Sequence, residues 1–135
     1  MIVVDTNTIA YLYLPSRYTA DVTRVLEKDA SWAAPLLWRS EFRNVLSVCL
    51  RQGSLAVPMA LEIQRAAQLL MADSEFAVDS EGVLRLSADS GCSAYDAEFV
   101  YLAQSEATPL ITSDRTLLRQ FPETTVTPAA FAASD

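Results

Sequence analysis

Met1-Ile2-Val3-Val4-Asp5-Thr6-Asn7 opens the chain. Ile2 to Val4 is a short β-branched apolar run, as in a strand buried on both faces of a sheet. It stops abruptly at a carboxylate followed by two more polar residues. In open α/β sheets, ligands bind in the crevice outside the carboxyl ends of the strands. A central strand here therefore puts Asp5 at the mouth of that crevice. The competing reading makes Asp5 the cap of the next helix, at Thr6 or Thr8. Taken alone, Asp5 favours the cap. The decision rests on what else the chain brings to the same edge.

Outward from this stretch, strands alternate with helices. Thr8 to Leu14 reads as a short helix stopped by Pro15, and Thr19 or Asp21 opens a second that ends at Glu27-Lys28-Asp29. Trp32-Ala33-Ala34 is a strand candidate. From Leu36 to Leu50, Trp38, Phe42, Val45, Leu46 and Cys49 form one apolar stripe, with Cys49 expected as buried packing and Gly53 as the stop. Pro58 suits the first turn of a helix reaching Met71. Phe76-Ala77-Val78 is a strand candidate, and Val83 to Ala88 suggests a helix ending before Gly91. Ser93-Ala94-Tyr95-Asp96 resembles a capping box. Pro109 to Thr112 reads as a strand ending in Ser113-Asp114, Leu117-Leu118 as a short helix, and Thr125-Val126-Thr127 as a last strand before Pro128 and an alanine-rich tail. Connections too short for hairpins make this a parallel sheet covered by helices, an α/β fold in one domain spanning residues 1–135.

Composition narrows the chemistry. The chain has 135 residues, 51% of them hydrophobic, enough for a core without staples. It has no histidine, which excludes His-based triads, bases and metal sites. Cys49 and Cys92 make neither a disulfide scaffold nor a zinc motif. The three glycines form no GxGxxG and no P-loop, so dinucleotide and P-loop nucleotide binding are not expected. There is no basic leader and no apolar run near the ~20 residues of a membrane helix, so the expected place is the cytosol. The net charge is −7, with Lys28 as the single lysine. Such acidity argues against nucleic-acid binding by a broad basic face, but leaves open phosphates met through a metal ion, or a basic protein partner.

Four acids lie where solvated charges do not belong. Asp5 and Asp114 each follow an apolar strand. Glu41 falls between Trp38 and Val45 on the apolar stripe, and Asp96 precedes Phe99 and Val100 at helical spacing, so both face inward. An ionised carboxylate facing a core must be paired, hydrogen-bonded or metal-bound. The structural alternatives are a salt bridge from Glu41 to an arginine of another element, with Arg39 and Arg43 pointing away from it, a helix-start role for Asp96, and an N-cap role for Asp114. Glu98 reads as simply solvated. Clustered carboxylates without histidine suit a hard cation such as Mg²⁺ or Mn²⁺, which can activate water and neutralise a phosphoryl displacement. Arg17, Arg115 and Arg119 are candidates for phosphate contacts, with ordinary surface charge as the stronger reading of each.

On these residues the chain resembles PIN-domain ribonucleases, in particular the VapC-type toxins of toxin–antitoxin pairs. The resemblance is carried by Ile2-Val3-Val4-Asp5-Thr6-Asn7, by Glu41 in the third helix, by Ser93-Ala94-Tyr95-Asp96-Ala97 and by Pro109-Leu110-Ile111-Thr112-Ser113-Asp114, with Pro128 and Phe131 fitting the end. It implies a PIN-like parallel sheet of four or five strands with helices on both faces. It implies a Mg²⁺- or Mn²⁺-dependent endoribonuclease whose site is Asp5, Glu41, Asp96 and Asp114, supported by Asn7 and Thr112. It also implies a homodimer and a small antitoxin, commonly with a basic segment, that covers the site. One departure is Ala107-Thr108, where many relatives place a glycine.

Competing functions weigh less. Asp5-Thr6-Asn7-Thr8 half resembles the nucleophile motif of haloacid-dehalogenase-type phosphatases, but the second acid is Asn7 and no late lysine exists. A phosphoacceptor receiver fails on the same lysine. A degenerate PIN-like protein-binding domain conflicts with the presence of all four acids, and a housekeeping RNA-processing nuclease shares the chemistry but not the partner.

Overall fold

Ile2, Val3 and Val4 form the central strand. The computed structural model describes residues 1–135. Strand β1 (Ile2–Val4) is followed by α1 (Thr6–Tyr13), α2 (Thr19–Lys28) and β2 (Trp32–Pro35). Then come α3 (Trp38–Gln52), α4 (Val57–Met71), β3 (Glu75–Phe76), α5 (Ser80–Ser90) and α6 (Ala94–Ser105). The chain closes with β4 (Leu110–Ile111), α7 (Arg115–Gln120), β5 (Thr125–Val126) and α8 (Pro128–Ala133). All five strands are parallel, in the order β3-β2-β1-β4-β5. β1 pairs with β2 through Ile2 and Trp32, and with β4 through Val4 and Ile111. Every β1 residue is buried, as its two-sided apolar run requires.

The strand order has a consequence for function. The chain builds outward from β1 to β3, then returns to the other side of β1 to lay down β4 and β5. The direction reverses between β1 and β4, and that switch point is where open sheets bind ligands. Right-handed crossovers place the helices after β1 and β2 on one face and those between β3 and β4 on the other. α6 packs on β1, β2 and β4, while α1 packs on α2 and α3. The carboxyl edge of β1 is therefore flanked by helices of both layers.

Several boundaries differ from the sequence reading. α1 begins at Thr6 rather than Thr8, because Asp5 caps it. α3 begins at Trp38; its stripe buries Trp38, Phe42 and Leu46, but Cys49 is only half-buried and free, not core packing. β3 lies at Glu75–Phe76 and stops short of Val78. Glutamate is a poor strand former, but the Glu75 carboxylate is held from α3, so tertiary contacts override propensity. The alanine-rich tail is a helix. Thr127 caps it, Pro128 opens it, and it lies along α2. Lys28 donates to the carbonyl of Phe131 and the hydroxyl of Ser134, both at 2.6 Å, so a cation sits at the negative end of α8. In α5, Gly82 permits close approach to α6, since a Cβ there would stand 2.3 Å from the Tyr101 ring. No helix is long and apolar enough to cross a membrane.

Candidate functional site

Asp5 caps α1 and also lines the cleft at the end of β1. Its Oδ1 accepts from the Thr8 N–H at 2.9 Å and lies 2.6 Å from the Thr8 hydroxyl, while Oδ2 accepts from the Thr112 hydroxyl at 2.5 Å. Thr8 and Thr112 are themselves fully buried. The Thr112 oxygen in turn accepts from the Asp114 N–H at 3.0 Å, which links the ends of β1 and β4. Every partner of Asp5 is a neutral donor. Burial raises its pKa above the ordinary carboxylate value, with the Asp114 charge adding and the threonine bonds only partly opposing.

Glu41 is reached from the first turn of α3. The Thr6 hydroxyl donates to its Oε1 at 2.7 Å. No arginine pairs with it. Arg39, two residues away, turns to Glu75 instead, with Nε at 2.6 Å and Nη2 at 2.7 Å from the two carboxylate oxygens. The salt-bridge alternative for Glu41 is thereby removed. Its pKa is raised by burial first, then by the charges of Asp96 and Asp5, against the Thr6 bond. Glu98 is not simply solvated: it is half-buried, and burial followed by the Glu41 charge raises its pKa.

Asp96 and Asp114 stand at helix starts. The Ser93 hydroxyl accepts from the Asp96 N–H at 3.1 Å, and no bond returns from the Asp96 carboxylate to the Ser93 N–H, so the capping box is half made. The Asp96 pKa is raised by burial and then by Asp114, against the Ser93 hydroxyl. Asp114 is exposed and caps α7, its Oδ1 accepting from Thr116 and Leu117 N–H at 2.8 and 3.0 Å. The cap reading of Asp114 is therefore correct, but it uses only one of the two oxygens.

All four acids line one open cleft of about 590 Å³. Asn7 lines it too, exposed and without a hydrogen bond of its own. Thr112 does not reach the wall; it works from behind, through Asp5. The remaining wall includes Thr6, Ser40, Asn44 and Tyr95. Sequence reading missed Thr6 and Thr8 as holders of the acids. The signal was Asp5-Thr6-Asn7-Thr8 itself, two hydroxyls beside a carboxylate. Ser40 and Asn44 flank Glu41 on α3 and carry no separate signal.

No lysine or arginine lines the cleft; Arg17, Arg115 and Arg119 all lie outside its wall. The donor set is oxygen only, which suits a hard cation. No three acids close into a ready cage for one ion.

A PIN domain family model matches residues 2–122. The chain belongs to the PIN-domain family, whose members are generally nucleases that use divalent metals. Among solved structures, it is similar to PAE2754 from Pyrobaculum aerophilum, with TM-score 0.75 and 22% identity, over 98% of this chain and 97% of that one. It is also similar to a chain of a toxin-antitoxin complex from Klebsiella pneumoniae, with TM-score 0.68 and 19% identity, over 95% and 98%. At these identities the likeness is one of fold. A search of curated proteins finds no match.

Proposed function

We propose that this chain is a Mg²⁺- or Mn²⁺-dependent endoribonuclease and the toxin of a type II toxin–antitoxin pair. One observation carries the catalytic part. Four carboxylates converge on a cleft whose wall holds no protein cation, and three of them have raised pKa values. Such a site gains most from an external cation. Asp5, Glu41, Asp96 and Asp114 are the residues that would hold it, with Asn7 at the mouth and Thr112 fixing Asp5. When bound, the cation supplies charge neutralisation at the phosphate and a more acidic water. The chain's own residues then position. Thr8 and Thr112 lock the Asp5 carboxylate, Thr6 locks Glu41, and the α7 cap fixes Asp114. Pre-set ligands of this kind need no rearrangement during reaction.

The partner part rests on charge and on the family. A basic antitoxin segment would offer the cations that the cleft lacks, and one neighbour in fold comes from a toxin-antitoxin complex. Val57 and Leu61 are exposed at i, i+4 on α4 and Leu69 two turns further on, with exposed Arg65 between, a mixed face that a homodimer contact could use.

The test is cleavage of single-stranded RNA by partner-free protein. Activity with Mg²⁺ or Mn²⁺ that vanishes in EDTA is expected, and equal cleavage in chelator overturns the metal mechanism. Co-expression with the product of a neighbouring small gene should give a complex with reduced activity; no complex at micromolar concentration leaves a lone nuclease.

A further inference from the structure

We infer that the corner between α1 and α2 is a nucleotide subsite, where Tyr11, Tyr18 and Arg17 receive one base and one phosphate of the RNA strand leaving the acidic cleft. This rests on the ribonuclease reading above.

Position comes first. Asn7 lines the cleft from the first turn of α1. Tyr11 lies four residues on, one turn along the same helix face. Its phenol is near enough to Asp5 for that charge to help raise its pKa, after burial and Tyr18, with Arg17 opposing. The face that begins at the cleft thus continues onto Tyr11 and reaches Arg17.

The corner is also built. The Tyr11 and Tyr18 rings lie 4.7 Å apart between centroids, tilted by 32°. The Arg17 guanidinium lies 4.9 Å from the Tyr18 ring centre and donates to the Tyr18 hydroxyl at 2.7 Å. The turn beneath them is pinned. The Thr19 hydroxyl donates to the Tyr11 carbonyl at 2.7 Å and accepts from the Ser16 N–H at 3.0 Å, and the Tyr18 N–H donates to the Ser16 hydroxyl at 3.1 Å. Little ordering entropy is left to lose on binding.

Charge then selects the ligand. Arg24, Arg39 and Arg85 each sit on a carboxylate. Arg17 sits on none; Arg43, Arg51, Arg65, Arg115 and Arg119 share that, but of all the arginines Arg17 alone lies over an aromatic ring. An arginine kept off carboxylates and laid against an aromatic pair presents a planar donor and a π-face together. Single-stranded nucleic acids bind by that combination of phosphate contact and base stacking. The acidic cleft cannot hold neighbouring phosphates itself, so a cation just past its edge is where the strand needs one. A basic peptide is disfavoured, because Arg17 would repel it.

The experiment uses Glu41→Gln protein in Mg²⁺, expected to hold RNA without cutting it, and a labelled single-stranded RNA of about ten nucleotides, within the span such grooves cover. Fluorescence anisotropy gives Kd. Adding Tyr18→Ala or Arg17→Ala should raise Kd at least about 5-fold, while Tyr18→Phe, which keeps the ring, should stay within about 2-fold. In the parent background, the same Tyr18→Ala and Arg17→Ala changes should act mainly through KM. Should Tyr18→Ala fail to fold, Arg17→Ala is an exposed change that still decides. If the parent cuts RNA and Arg17→Ala and Tyr18→Ala bind like their background, there is no subsite. If the parent neither binds nor cuts RNA, the ribonuclease reading falls, and the subsite with it.

Discussion

Two glutamates lie against the start of α3 and are treated oppositely. Glu75 comes from the edge strand β3 and receives Trp38 Nε1 at 2.8 Å and both prongs of Arg39. Its pKa falls, chiefly through the Arg39 bonds. Glu41, one turn away on the same helix, receives one threonine hydroxyl and two nearby like charges, and its pKa rises. Arg39, two residues from Glu41, projects from another face of α3 and so serves Glu75 alone. Where the fold needs an edge strand fastened, it supplies a cation. At the switch point it lines the cleft with carboxylates and no lysine or arginine. An uncompensated carboxylate cluster costs stability, and such costs persist where function needs them.

The strongest way to break this comparison is to neutralise each glutamate in turn. Glu41→Gln should keep the fold and lower RNA cleavage at least about 100-fold, the scale of losing a preorganised group that stabilises transition-state charge. Cleavage assays on protein of verified melting temperature decide it. Unfolding with unchanged specific activity would make Glu41 structural. Glu75→Gln should do the reverse, keeping activity per folded molecule and costing about 2 kcal/mol in urea melts. That figure lies below a fully buried pair, because the Arg39 side chain is 37% exposed and solvent recovers part of the loss.

The next test separates cluster from pair by pH and metal. Asp96 has a raised pKa, so the folded state holds its proton more tightly than the unfolded state does. That stabilising contribution is full below the unfolded value and is lost as pH rises through the folded one. Asp96→Asn should therefore melt higher than the parent in EDTA at neutral pH, with the gap closing as pH falls toward the ordinary value of 3.8. Glu75, with its lowered pKa, loses its contribution in the opposite direction, as pH falls through its folded value. Mg²⁺ at ten times its Kd should stabilise the parent by about 1.4 kcal/mol and Asp96→Asn by much less. Equal shifts for both proteins remove Asp96 from the ion's site.

Asp114 sharpens the contrast, because one of its oxygens fastens a helix and the other is free. Asp114→Ala should cost about 1 kcal/mol through the lost cap and also reduce cleavage. Asp114→Asn should retain most of the cap but not the activity. If Asp114→Asn cleaves as well as the parent, the charge of Asp114 is not used.

The smallest effect lies away from the cleft. α3 and α6 end in the same hydrogen-bond pattern, with Ser54 N–H to Cys49 carbonyl in one and Thr108 N–H to Ala103 carbonyl in the other, each at 3.0 Å. The left-handed residue is Gly53 in the first and Ala107, at φ +50°, in the second. A side chain is strained there. Ala107→Gly should raise stability by a few tenths of a kcal/mol, strain relief exceeding the added unfolded-state entropy, with cleavage unchanged. A loss of stability in thermal melts would mean that the α6–β4 turn is not strained.

Local chemistry made much of this molecule legible in the sequence. The two-sided burial of Ile2–Val4 follows from composition alone. The stripe of α3 and the stops at Gly53 and Gly91 follow from helical period and from the freedom of glycine at positive φ. The same periodicity placed Glu41 and Asp96 toward the interior, because a charge on an apolar face is visible without coordinates. Capping letters revealed Ser93 and, as an alternative, Asp114, since a cap is a contact over three residues.

Contacts across long chain separations were decided only by the tertiary structure. Thr112 meets Asp5 across 107 positions, and Thr6 meets Glu41 across 35. Nothing in a threonine says which carboxylate it will serve. Arg39 points away from Glu41 on α3, and only the fold decided that Glu75 of β3 would meet it across 36 positions. The sequence reading assigned the alanine-rich tail no element; in the fold it is a helix, with a cap at Thr127, packing along α2 and Lys28 at its far end. Glu98 looked solvated by its spacing, and the fold half-buries it within reach of the Glu41 charge. Sequence determined which residues carried charge, period and turn, because those are properties of neighbours along the chain. The sheet order, with its reversal between β1 and β4, determined which of them share a cleft.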